Sequence, residues 1–182
     1  MPAHIPLTAK MRLGYEDNAL TMENAQAIES AGANNLTAHA RTKKQGYKPP
    51  AHWHLIKPIA EVLTIPVIAN GDIFSVADYH ACKYASGCEH VMIGRGAVSV
   101  PDLAKQIRNT THNPFDWPKV LPLLLTYLDE LLLVTAEKYA VARFKQWLNY
   151  LANNFTEAQA CFDDVKRLKQ FVDVNHYFLT EK

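Results

Sequence analysis

From residue 5 to residue 108, short apolar segments that end in polar or charged groups alternate with segments of helical period. That order is the strongest constraint on the fold, because neighbouring parallel strands need a long crossover between them, and right-handed helical crossovers return each strand beside the last. Residues 5–12 (I-P-L-T-A-K-M-R) read as a strand, residues 21–31 as a helix capped by Thr21 and closed by Gly32, and residues 35–39 as a second strand. A polar loop over 40–52 precedes a helix over 53–63. The run I-P-V-I-A at 65–69 then has the continuous apolar character of a buried parallel strand, broken by Asn70-Gly71-Asp72. Ser75, with Asp78 three residues on, starts a helix that Gly87 stops, and residues 90–93 form a fourth strand ended by Gly94-Arg95-Gly96. Four such strands make half of a parallel barrel, read here as its second half with no first half ahead of it.

The texture changes after Arg108. Residues 109–118 (N-T-T-H-N-P-F-D-W-P) form a polar, proline-punctuated linker. Helices are then expected over 119–133, 137–154 and 156–171, with a short terminal element around His176. No glycine follows Gly96, as packed helices require. The expected organisation is α/β plus all-α: the C-terminal half of a (β/α)8 TIM barrel over 1–108, a linker over 109–118, and a helical bundle over 119–182.

Composition narrows the function classes. Residues 1–108 carry 11 Lys and Arg against 9 Asp and Glu, and residues 109–182 carry 8 against 9, so any basic surface for nucleic acid must be local. Cys82, Cys88 and Cys161 are an odd set without C-x-x-C spacing, which points to a reducing cytoplasm rather than a disulfide framework, and no metal site is expected. No stretch approaches the length of a membrane span, and the N-terminal residues lack the pattern of an export signal.

The groups that could carry chemistry gather at strand ends, where parallel barrels place their active sites and where the loops after the last strands commonly bind phosphate. Those ends supply Lys10 and Arg12, then His39 and Arg41, then Asn70 and Asp72, then Gly94, Arg95 and Gly96. Gly94-Arg95-Gly96 combines close backbone approach with a fixed positive charge, a pairing suited to a phosphate monoester. Lys10 is either a cation at a barrel mouth or a lysine reaching into solvent, and His39 either a site residue or a satisfied core histidine. Arg41, Lys43, Lys44 and Lys48 with Tyr47 form an anion-facing patch or a solvated basic loop. In the helical region, K-Y-A-V-A-R-F-K-Q-W-L-N-Y-L sets Phe144, Trp147, Leu148 and Leu151 on an apolar face, with Arg143 and Lys145 among the polar positions.

Taken in order, T-A-K-M-R-L-G (8–14), H-A-R-T-K-K-Q-G-Y (39–47), I-P-V-I-A-N-G-D-I (65–73), V-M-I-G-R-G-A (91–97) and V-A-R-F-K-Q-W-L (141–148) resemble the tRNA-dihydrouridine synthases. The C-terminal sequence most resembles the bacterial subfamily acting on position 16 of the D loop. The resemblance implies an FMN-binding barrel joined to a helical domain that grips tRNA. Lys10 and His39 would lie against the flavin, Asn70 and Asp72 near its ribityl chain and phosphate loop, and Gly94 and Arg95 at its phosphate. Arg41, Lys43, Lys44, Lys48, Arg143 and Lys145 would face RNA. In that family reduced flavin gives a hydride to uridine, a cysteine supplies the proton, and NADPH restores the flavin. The P-M-x-G and N-x-G-C-P segments expected upstream do not occur in this sequence, and none of its cysteines sits where that acid would, so no catalytic residue is assigned. Ala40 stands where many relatives have glycine. The rival expectations are a non-catalytic tRNA-binding remnant or truncated product, and a different FMN barrel oxidoreductase. Open barrel edges are expected to promote self-association.

Overall fold

A computed structural model describes residues 4–180, so the outermost ends of both expected domains, residues 1–3 and 181–182, lie outside the described residues. The chain divides into two compact units, Met1–Gly96 and Ala97–Lys182.

The first unit is built on a parallel sheet of four strands in the order β1 (Thr8–Arg12), β2 (Asn35–His39), β3 (Val67–Asn70), β4 (His90–Met92). Helices α1 (Thr21–Ser30), α2 (Lys57–Val62) and α3 (Val76–Ser86) make the crossovers. This is the arrangement of a fragment of a TIM barrel. Residues in alternate register separate the two faces. Leu36, Ala38, Ala40, Val67 and Ala69 pack into a core with Ala25, Ile56, Ile59 and Cys82 from the crossovers, whereas Lys10, Arg12, Thr37, His39 and Asn70 fall on the other face. The strand ends are level, with Arg12 beside His39, His39 beside Asn70, and Asn70 beside Met92.

Several boundaries differ from the sequence expectation for local reasons. β1 begins at Thr8 and β3 at Val67 rather than at residues 5 and 65, because Pro6 and Pro66 have no N–H to give a ladder. The Leu7 N–H is instead taken by the Asn34 side chain. Residues 53–63 are not one helix: a 3₁₀ turn at Trp53–Leu55 precedes α2, since Pro58 cannot bond the turn before it. Thr21 does not cap α1, and its hydroxyl donates to the Leu13 carbonyl. Ser75 does cap α3, accepting from the Asp78 N–H at 3.0 Å, and Gly87 ends that helix in the left-handed conformation at φ 68°.

In the second unit, α4 (Arg95–Ser99), which begins in the first, and α5 (Leu103–Arg108) lead to α6 (Trp117–Val134), α7 (Glu137–Leu151), α8 (Thr156–Val165) and α9 (Phe171–Thr180). α6 opens two residues early because Pro118 lies in its first turn, where a missing N–H costs nothing. α8 stops at Val165 rather than 171, and the expected short element near His176 is a full helix. α7 packs against α6, α8 and α9 around Phe144, Leu148 and Leu151. Residues 97–108, read from sequence with the barrel half, lie with the helices. Asp102 accepts from His112 Nε2 at 2.9 Å and the Phe115 N–H at 3.0 Å, and the Trp147 indole donates to the Val98 carbonyl at 2.8 Å.

Candidate functional site

The face of the sheet left uncovered by α1 to α3 carries the expected strand-end groups together. Lys10 Nζ donates to Asn70 Oδ1 at 3.0 Å, and the Asn70 amide donates to the Met92 carbonyl at 2.8 Å, so the amide is held in one orientation between an ammonium and a backbone oxygen. His39 lies beside Asn70 and is 6% exposed. Its burial, reinforced by Arg12, Lys10 and Arg41 and only partly offset by Asp72, lowers its pKa to about 4. The imidazole is therefore neutral at neutral pH, a hydrogen-bonding surface rather than a proton source.

The turn after β3 is made by Gly71 at φ 129° and Asp72 at φ 49°. The positive φ at Gly71 favours glycine, and a Cβ there would come within 3.1 Å of Ala51 and 3.4 Å of His39, close enough that those side chains would have to give by a few tenths of an ångström. Asp72 receives both guanidinium nitrogens of Arg41, Nη1 on Oδ1 at 3.0 Å and Nη2 on Oδ2. Arg95 Nη2 reaches the same Oδ1 at 3.5 Å. The Arg95 guanidinium also lies 4.9 Å from the Tyr47 ring centre and 5.6 Å from that of Phe74, and Arg12 stacks 5.3 Å from Tyr47. Tyr47, Trp53, Asp72, Phe74 and Arg95 line a cleft of about 440 Å³.

Not every expected residue joins this group. Arg41 does not share the surface of its loop: it is fully buried and pairs with both carboxylate oxygens of Asp72. Lys43, Lys44 and Lys48 are exposed, and Lys44 faces Glu16 at 3.7 Å across solvent, a weak pair. Gly94 is exposed, with open space where a side chain would be.

In the second unit Arg143 is exposed and donates to Gln146 at 3.2 Å on the rim of a groove of about 410 Å³ that includes Tyr127, Trp147 and Tyr150. Lys145 is turned inward to the carbonyls of Lys166 and Leu168, at 3.2 and 2.7 Å, and burial lowers its pKa. It closes the end of α8 instead of presenting a free charge.

Cys82 and Cys88 are buried among the crossover helices, with thiols raised by burial, Cys82 to about 12, and Cys161 is buried among α7 to α9. Among the described residues no three His, Cys, Asp or Glu gather as metal ligands, and no helix is long and apolar enough to cross a membrane. Sequence reasoning missed the aromatic half of the cleft, Trp53 and Phe74, and the ties that hold its loop. The Trp53 indole donates to the Gly71 carbonyl at 2.7 Å, and Arg12 donates to the carbonyls of Thr42 and Gly46 at 2.9 and 3.0 Å. The advance signal was Tyr47 in a loop rich in cations.

Comparison with known proteins places this geometry in a family context. The family model described as "Dihydrouridine synthase (Dus)" matches residues 2–177. The chain is 48% identical over 179 residues to the tRNA-dihydrouridine(16) synthase of Neisseria meningitidis serogroup A, covering 96% of this chain and 54% of that protein. It is 47% identical over 169 residues to the protein of that name in Shewanella oneidensis, covering 93% and 53%. With the one in Aquipseudomonas alcaligenes the figures are 43% over 171 residues, 92% and 54%. The chain thus spans about half the length of the curated relatives it matches.

Proposed function

The chain belongs to the dihydrouridine synthase family, and from that premise we propose that it forms the C-terminal half of the barrel and the helical-bundle RNA-binding domain of a tRNA-dihydrouridine synthase acting on a D-loop uridine. The observation that carries the reading is the level row of strand ends on the uncovered face, where Lys10 is bonded to Asn70 beside a neutral His39. These groups fit one side of an FMN: a cation, a fixed amide and an uncharged imidazole for the ring system. Arg95, 38% exposed at the side chain, and the open backbone at Gly94 fit its phosphate.

When bound, FMN supplies hydride chemistry, with NADPH as the source of electrons. The residues of this chain bind and orient. Lys10 places a positive charge beside Asn70, His39 offers a hydrogen bond without competing as an acid, and Arg95 meets the phosphate charge. The proton that completes uridine reduction does not come from Cys82, Cys88 or Cys161, each of which is buried in the packed core of its own unit. Arg143 and the exposed Lys43, Lys44 and Lys48 supply local positive charge for tRNA on a chain whose overall charge is only +1.

The test joins this chain to the N-terminal half of the Neisseria relative and measures retained flavin, tRNA binding and dihydrouridine in the tRNA. Flavin retention with NADPH-dependent product is expected. Folded protein that shifts tRNA but holds no flavin would replace the reading with a non-catalytic tRNA-binding protein. Flavin without any tRNA affinity would favour another FMN oxidoreductase.

A further inference from the structure

One arrangement is not accounted for by packing. Arg41 is a fully buried arginine whose Nε has no hydrogen-bond partner among the described residues, and its carboxylate partner Asp72 sits at φ 49°, a conformation costly for any residue with a side chain. Burying an ion pair is a poor route to stability, since desolvation offsets much of the attraction and apolar residues of equal volume often serve as well. An outlier of this kind at the mouth of a cleft points to what the pair positions.

The distances divide Asp72 unequally. Arg41 takes both carboxylate oxygens, whereas Arg95 has a single contact at 3.5 Å, to an oxygen that already accepts from Arg41 at 3.0 Å. Arg95 is otherwise held by aromatic faces, Tyr47 on one contact and Phe74 on the other. A carboxylate without Arg41 would be free to form the full two-point pair with Arg95 and draw it out of reach of an anion. With Arg41 in place, Arg95 is kept near the turn, partly neutralised and still available.

We propose that Arg41 is a positioning residue that occupies Asp72 and thereby holds Arg95 ready for the phosphate dianion of a phosphate monoester. The inference rests on the reading of Arg95 as the phosphate ligand, and it gives Arg41 a role in place of the RNA contact expected from its loop. It also specifies a sign. Removing Arg41 weakens phosphate recognition by releasing a negative charge, so removing that charge as well restores it.

The experiment compares affinities for FMN and for riboflavin, which lacks the phosphate, on the flavin-free intact protein by fluorescence quenching, with circular dichroism to follow folding. Arg95→Ala is expected to lower the preference for FMN over riboflavin. Arg41→Gln should lower it by about tenfold, the scale of one charged hydrogen bond, and Arg41→Gln with Asp72→Asn should recover most of that loss. Arg41→Lys keeps the buried charge with only one point of contact, so it carries the test if the glutamine variant fails to fold, and a smaller fall is expected. Riboflavin affinity should change little in Arg95→Ala, whose partner is the phosphate that riboflavin lacks. If Arg95→Ala lowers the preference while Arg41→Gln and Arg41→Lys leave it unchanged, the positioning role is overturned and the phosphate reading stands. If the Asp72→Asn double variant is no better than Arg41→Gln, Arg41 acts through general folding and the inference fails. An unchanged preference in Arg95→Ala overturns the phosphate reading itself, and the inference with it.

Discussion

Acidification isolates the contribution of His39. Its ordinary pKa of 6.5 falls to about 4 in the fold because the ring is buried and faces Arg12, Lys10 and Arg41, with Asp72 the opposing charge. Between those two values the unfolded chain binds a proton that the folded chain refuses, so stability rises with pH across that window. The stability is complete above about pH 6.5 and is lost progressively as the pH falls towards 4. By pH 5 the loss amounts to about 2 kcal/mol relative to pH 8, and it approaches about 3 kcal/mol at the lower limit. Glu29, bonded to Thr64, and Asp163, bonded to Lys166, also have lowered pKa values, but they start from 4.5 and 3.8, so their contributions disappear at lower pH than most of the His39 window. Urea unfolding of the first unit from pH 8 to pH 5, set against His39→Gln, separates the histidine from the other titrating groups. The difference between the two profiles should grow by about 2 kcal/mol over that range. Parallel profiles, or an NMR titration placing His39 near 6.5, would refute the reasoning, because the ring would then be solvated and the three cations remote in effect.

Two contrasts test the remaining structure. A Cβ at Gly96 would sit 1.8 Å from the Ile73 carbonyl, whereas one at Gly94 meets nothing within 4 Å. Gly96→Ala should therefore cost about 2 to 3 kcal/mol in thermal or chemical unfolding and Gly94→Ala less than about 0.5 kcal/mol, and equal costs would contradict the close approach. Lys145→Met removes both bonds to the α8 terminus and should cost the second unit about 1 to 3 kcal/mol while leaving tRNA affinity unchanged. Arg143→Ala should do the reverse, leaving stability unchanged and reducing the salt dependence of tRNA binding by a slope of about one.

The sequence alone determined the order of strands and helices in the first unit. Those signals are local: an apolar run for β3, Ser75 with Asp78 opening α3, Gly87 closing it, and Gly94-Arg95-Gly96 after the last strand. It also assembled the candidate strand-end residues, because parallel strands all deliver their C-terminal ends to one side. Lys10 and Asn70, 60 positions apart, became neighbours through that rule and the sheet register. Where a charged side chain goes from its strand or helix was decided only in three dimensions. Arg41 and Lys43 are two residues apart in one basic loop, yet one is buried against Asp72 and the other is exposed. Arg143 and Lys145 likewise share a helix, and the second is withdrawn to carbonyls more than 20 positions away. A long, flexible cation satisfies local sequence rules in either place. Its choice is fixed by a partner from a distant element, here a carboxylate in a strained turn and the open end of a helix, which composition and spacing do not contain.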